Sequence, residues 1–223
     1  AEIYLGRDAA RHVLKGRIER GKVDSIRTVL WFSDMRNYTS LSESIPSGEL
    51  IALLNDYAEA VITAVQMAGG DVLKLIGDGT LALFNHPDPQ EAAAASLQAW
   101  HDLTRRVEAL NARRRAAGLA TTTVHVGLHV GEVFYGNIGS DERLDFTVIG
   151  PAVNEASRIV AASRRPSSGQ GAAREPRLAK TPIGSSPNET ETSPGAWPRF
   201  SIKAASSRAL MRPCGAGSRR SWI

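Results

Sequence analysis

Two aspartates stand where backbone rigidity would fix a carboxylate. Asp34 follows the apolar run Thr28–Trp31 and then Phe32 and Ser33, and Asp78 lies between Gly77 and Gly79. A carboxylate at a strand end or a tight hairpin tip is well placed to hold a divalent cation such as Mg2+. Taken singly, each also reads as a turn or capping aspartate. Lys74 precedes Asp78 by four residues, in DVLKLIGDGTLALF. Asn154 and Arg158 are four apart in AVNEASRIVAAS, so on a helix they share a face. Carboxylate-held metal ions can activate a hydroxyl and hold phosphates, and fixed cations can neutralise charge developing on phosphate oxygens. His86, His125 and His129 invite a zinc reading. His125 and His129 share a strand face by alternation, but no Cys or third His accompanies them, and a half-buried strand surface or an interface accounts for them better.

Three segments together carry a family resemblance. WFSDMRNYTSLSE resembles the first metal motif of class III adenylate and guanylate cyclases, KLIGDGTLALF their Lys-x-x-Gly-Asp hairpin, and DFTVIGPAVNEASRI their Gly-x-x-Val-Asn-x-Ala-Ser-Arg motif. Order and approximate spacing also agree, over about residues 4–163. The resemblance implies ATP cyclisation to 3′,5′-cyclic AMP and pyrophosphate at the interface of a homodimer. It implies that Asp34 and Asp78 hold two Mg2+ or Mn2+ ions with help from the Met35 carbonyl. Backbone amides of Met35–Thr39, including Asn37 and Tyr38, would cradle phosphates. From the partner chain, Lys74 and Thr147 would read the base, Asn154 would orient the ribose and Arg158 would stabilise the transition state. Two departures stand out. Asn37-Tyr38 replaces the usual Gly-Phe, a tolerable change because Asn is the residue that best substitutes for Gly at positive φ. Thr147 stands where many members carry Asp, as in a bacterial subgroup of which some respond to bicarbonate.

The elements that would position these residues can be read from periodicity. Residues 1–25 read as a lead-in helix or linker ending near Gly21, and Thr28–Trp31 as a buried strand. Ser47 caps a helix whose Leu50, Leu54, Tyr57, Val61 and Val65 make one apolar face, ended by Gly69-Gly70. A hairpin follows, tipped by Gly77-Asp78-Gly79. A long helix runs from about Gln90 to Ala117, with Trp100, Leu103, Val107 and Leu110 as its core stripe. TTTVHVGLHVGEVFYGNIG alternates cleanly, RLDFTVIG is a further strand, and Pro151 opens the helix carrying Asn154 and Arg158. The order argues an α+β fold, a mostly antiparallel sheet covered by helices, and the resemblance makes it the ferredoxin-like cyclase fold.

Residues 26–163 form the expected catalytic domain, and the character changes after them. The net charge of +4 divides into −4 over residues 1–163 and +8 over residues 164–223, and seven of the eleven prolines fall in that tail. The tail reads as a low-complexity, basic, disordered segment, in keeping with out-of-frame translation of a GC-rich gene. The family normally continues with further strands and a lysine that contacts the triphosphate; PRFSIK, ending at Lys203, echoes this and reads as coincidence. A net-negative body argues against nucleic acid as a partner. A single Cys214 excludes an internal disulfide framework. No stretch is expected to span a membrane, and the expected location is cytoplasmic, with any tether supplied by sequence before residue 1. Two alternatives remain: a weak or inactive homologue used for dimerisation or regulation, and a guanylate cyclase. Lys74, which can only donate, suits N1 of adenine better than guanine.

Overall fold

The computed structural model describes residues 23–140, 142 and 144–161, together with the backbone of 201–205. Residues 1–22 of the expected lead-in helix or linker (1–25) and most of the basic tail lie outside the described residues, whereas residues 23–25 already belong to the first strand. The elements, in chain order, are β1 (Val23–Met35), α1 (Tyr38–Ser44), α2 (Ser47–Met67), β2 (Asp71–Ile76), β3 (Gly79–Phe84), α3 (Pro89–Ala116), β4 (Val124–Gly139), β5 (Leu144–Ile149), α4 (Pro151–Ala161) and β6 (Ser201–Ala205). The strands form one sheet in the order β2-β3-β1-β4-β5, with every pairing antiparallel. This is the α+β arrangement that the sequence leads one to expect.

Alternation divides the core in two. On β1, Val29, Trp31 and Met35 point to one face; they meet Val124, Val126, Leu128 and Val130 of β4 and the buried stripes of α2 and α3. Leu30 points to the other face, where Leu81, Leu83, Val133, Tyr135 and Val148 pack with Ala152 and Ala156 of α4. Strand side chains alternate with period two, so a single strand feeds both cores. The α3 stripe of Trp100, Leu103, Val107 and Leu110 is buried as its spacing requires. On α2 the buried face comprises Leu53, Tyr57, Ala60, Val61, Ala64 and Val65. Leu50 and Leu54 are only half-buried, so the face is rotated slightly from the sequence expectation.

By length and composition α2 could cross a bilayer, with a mean hydropathy of 1.2 over 18 residues. Its apolar stripe is a core-helix stripe, packed against α3 and the sheet.

Capping and a loop clamp set the ends of α3. Asp88 accepts from the Gln90 amide at 2.8 Å, Pro89 occupies the first turn, and Arg113, Arg114 and Arg115 lie in the last. The buried Asn111 side chain then donates to Thr122 O at 2.6 Å and accepts from Thr122 N at 3.0 Å. That reciprocal pair fixes the chain just before β4 begins. Arg114, 5% exposed as a side chain, pairs with Glu49 at 3.1 Å and ties the end of α3 to the start of α2.

Helix α4 lies close on β4 because the strand offers glycines there. A Cβ at Gly131 would stand 2.3 Å from the Ala152 Cβ, and one at Gly127 would stand 2.8 Å from Val160 Cγ2. Strand β6 pairs with His125–His129 of β4, Lys203 opposite Gly127. The expectation that no strand follows α4 therefore fails at residues 201–205, which take in Ser201–Lys203 of the PRFSIK echo. The driving force is an unpaired β4 edge, which offers N–H and C=O groups to any extended segment that reaches it.

Gly131→Ala should destabilise the domain by about 1–3 kcal/mol, the usual cost of overpacking. Gly48→Ala, where nothing lies within 4 Å of the added methyl, should be neutral or slightly stabilising. Urea unfolding of the two variants checks this. Equal stabilities would show that α4 can shift off the strand freely.

Candidate active site

The two aspartates meet at one end of the sheet. Register pairs Ser33 with Thr80 across β1 and β3, so the next step along the ladder brings Asp34 level with Gly79, beside Asp78. A Cβ on Gly79 would come within 3.3 Å of Ser33 O, which shows how closely the hairpin tip approaches β1. Asp34 is 2% exposed, and Asp78 is half-buried. On its other side Asp34 pairs in register with His125, itself 4% exposed.

Tyr57 reports the electrostatics of this corner. Burial pushes its phenol well above the usual range, the Asp34 carboxylate pushes in the same direction, and Asp78 adds to it. Both carboxylates are therefore felt at one buried hydroxyl. The hydroxyls of Tyr57 and Ser33 and the indole N–H of Trp31 are buried without a hydrogen bond of good geometry. Tyr57 was legible in the sequence only as a core residue of α2; its position beneath the carboxylates depends on how α2 crosses the sheet.

The turn after Asp34 supplies amides. Met35 is still in β1, opposite Val124, and its side chain belongs to the core. The Arg36 amide donates to Thr123 O at 2.8 Å. Of the amides of Met35–Thr39 expected to cradle phosphates, that of Arg36 is therefore engaged within the fold. Asn37 caps that helix at φ 61°, ψ 23°, and is the sole non-glycine at positive φ among the described residues. An asparagine thus holds the left-handed position expected of it. The first-turn amides of a helix have no intrahelical acceptor and point outward.

Lys74, on edge strand β2, forms an ion pair with Asp145 on β5, the opposite edge of the sheet path. Strands β2 and β5 are in contact, so the sheet curls far enough to bring its two ends together. Thr147 lies two residues from Asp145, on the same strand face by alternation, and is half-buried. Asp145 is the residue that sequence reading missed. The alternation of RLDFTVIG placed it beside Thr147, but nothing local indicated that Lys74 would reach it.

Helix α4 buries Ala152, Ala156 and Val160, spaced by four. Asn154 and Arg158 are exposed on another face. Glu155 anchors the start of the helix through His129 Nε2, 3.1 Å from Glu155 Oε2. His129 is half-buried under α4, as expected of it, whereas His125 is buried more deeply than the half-buried strand surface expected. His86 accepts from the Asp88 amide at 3.1 Å in the turn before α3.

Asp34 and Asp78 offer only carboxylate oxygens, the hard donors that Mg2+ and Mn2+ favour. Among the described residues no group of three or more His, Cys, Asp and Glu side chains is placed to hold a metal. Two carboxylates with remaining positions filled by substrate phosphates and water is a usual Mg2+ arrangement, so the residues fit such ions.

Comparison with known proteins bears on the family and the fold. Residues 21–167 match the adenylate and guanylate cyclase catalytic domain family. An adenylate cyclase of Anabaena cylindrica is 37% identical over 142 residues, covering 64% of this chain and 28% of that protein. Adenylate cyclase 1 of Rhizobium meliloti is 33% identical over 130 residues, covering 57% of this chain and 19% of that protein. The chain therefore spans about a quarter of the length of these relatives. Among solved structures, the adenylyl cyclase CyaB from P. aeruginosa superposes with TM-score 0.60 at 30% identity, over 63% of this chain and 74% of that one. The guanylyl cyclase Cya2 gives 0.58 at 29%, over 63% and 72%.

Burial lowers the His129 pKa, and Glu155 only partly offsets it. The folded chain then binds fewer protons than the unfolded chain, whose histidine titrates near ~6.5. Stability should be flat above that pH and fall below it, until His129 protonates in the folded state. His129→Gln should flatten this fall, read as the difference in urea midpoint between pH 7.5 and pH 5.5. An unchanged difference would assign the acid sensitivity elsewhere.

Proposed function

Because the chain belongs to the adenylate and guanylate cyclase catalytic domain family, we propose that it is an adenylate cyclase, converting ATP to 3′,5′-cyclic AMP and pyrophosphate at the interface of a homodimer. The observation that carries the base assignment is the meeting of Lys74 with β5 beside Thr147, from opposite ends of the sheet path. The Lys74 ammonium has donors only and matches adenine N1, an acceptor; the Thr147 hydroxyl can accept from the N6 amine. Guanine presents an N1–H donor where Lys74 needs an acceptor. The likeness to a guanylyl cyclase structure supports the shared fold, and the lysine favours adenine.

Asp34 and Asp78 would hold two divalent ions, which supply activation of the ribose 3′-hydroxyl and charge neutralisation when bound. The chain's own groups do the rest. First-turn amides of α1 cradle phosphate oxygens. Arg158 neutralises charge developing at the transferring phosphorus, and Asn154 orients the ribose. Their exposure on α4 supports delivery to a nucleotide held by another chain. Phe134 and Ile149, paired across β4 and β5 and each 47% exposed, add apolar surface that supports self-association.

Asp34→Ala and Arg158→Ala should each abolish turnover alone. Mixed as confirmed heterodimers, they should recover toward half of the wild-type activity, because one of the two shared sites then carries neither lesion. No recovery would argue for sites built within one chain.

Lys74→Glu should shift preference from ATP toward GTP by roughly tenfold to a hundredfold, the usual effect of mispairing a buried donor or acceptor. Equal loss with both nucleotides would show that Lys74 does not read the base.

A further inference from the structure

We propose that Asp145 is a specificity-determining residue of the base site: it holds the Lys74 ammonium in place and presents a carboxylate oxygen toward the amine edge of adenine. The inference rests on the cyclase reading and extends it to Asp145, a residue to which that reading assigned no role.

The geometry has three parts. First, Lys74 and Asp145 are ion-paired within one chain, with side chains 35% and 49% exposed. A pair this open contributes little to fold stability, so its main consequence is local: it decides where a long, flexible side chain points. Second, the ammonium carries three donors. Engaging one with Asp145 leaves others for a ring nitrogen, and the lysine is oriented before any nucleotide arrives. Orientation before binding removes an ordering cost that would otherwise weaken affinity. Third, Asp145 and Thr147 alternate onto one face of β5. Thr147 can both donate and accept, whereas an ionised carboxylate only accepts.

The combination selects a base. Adenine offers an acceptor at N1 for the lysine and a donor amine at N6 for the acceptors beside it. Guanine puts its O6 carbonyl where adenine has that amine, so O6 would face the Asp145 carboxylate, acceptor against acceptor. Discrimination by mismatched hydrogen-bonding groups is stronger than discrimination by shape alone. Asp145 thus supplies the charged acceptor that Thr147 lacks.

Steady-state kinetics of the full chain with ATP and GTP in Mn2+ tests this, using Asp145→Asn, Asp145→Glu, Lys74→Ala and the Lys74→Ala/Asp145→Asn double variant. Asp145→Asn should raise KM for ATP about tenfold, the loss expected for one charge-assisted hydrogen bond, with kcat changed by less than about threefold because the base lies away from the reacting atoms. It should also raise the GTP-to-ATP ratio of kcat/KM about tenfold, since an amide can turn its donor toward O6. Asp145→Glu should restore most of the ATP preference. The double variant should be no worse than Lys74→Ala by more than about twofold, because both act through one contact. Thermal midpoints of all four should stay close to the parent.

Unchanged KM and nucleotide ratio in Asp145→Asn, with an active parent, would overturn this inference and leave the cyclase reading standing. A lower KM would overturn it too, showing that Asp145 holds Lys74 away from the base. A parent that cyclises neither nucleotide, and from which neither displaces a fluescent ATP analogue, would overturn both. A fall in kcat at constant KM would reduce Asp145 to a structural role.

Discussion

The ladder between β1 and β4 is the constraint on which the other features depend. All 13 residues of β1 pair with β4, from Val23 opposite Gly136 to Met35 opposite Val124. A slip of one residue would send Trp31 and Met35 to the α4 side and turn Asp34 into the α2–α3 core. The apolar fit on both faces therefore specifies the register. Together with the β1–β3 ladder, the β1–β4 ladder sets where Asp34 sits relative to Asp78. It also fixes the Gly127 and Gly131 positions that allow α4 to settle on the sheet.

Two chemically distinct regions result from this frame. One is acidic: Asp34 and Asp78, close enough that a single buried phenol feels both. The other joins an ammonium, a carboxylate and a hydroxyl where β2 meets β5. Helix α4 carries Asn154 and Arg158 outward from the sheet, while His129 and Glu155 tether its N-terminal half to β4. Rigid elements hold each group, and the turn beside Asp34 is fixed by hydrogen bonds from Arg36 and through Asn111 to the α3–β4 connection. Preorganisation of this kind spares a site the cost of reorganising its dipoles during a reaction.

Much of the fold was legible because it rests on local rules. Alternation in TVHVGLHV required a strand with two unlike faces, and the Trp100–Leu110 stripe required a buried helix face. The glycine-framed Asp78 required a tight turn. The left-handed Asn37 followed from the steric tolerance of asparagine. The strand formed by residues 201–205 was not legible, because a short segment in a biased tail owes its pairing to the free β4 edge and not to its own pattern. The length of β1 was also underestimated: its first residues, VDSIR, lack an apolar run and are held extended by β4.

Sequence by itself determined which residues have groups capable of such chemistry, since carboxylate, ammonium, amide and guanidinium are properties of residue type, and their motif spacing identified a family. It also determined the element types, since helix and strand periods are written into the order of apolar residues. Only the tertiary structure decided what meets what. The joining of Lys74 to Asp145, 71 residues apart, depends on the accumulated twist and curl of a whole sheet, which no local pattern encodes. The same holds for Tyr57 beneath the two aspartates and for His129 beneath α4, because burial depends on which surfaces other elements happen to cover.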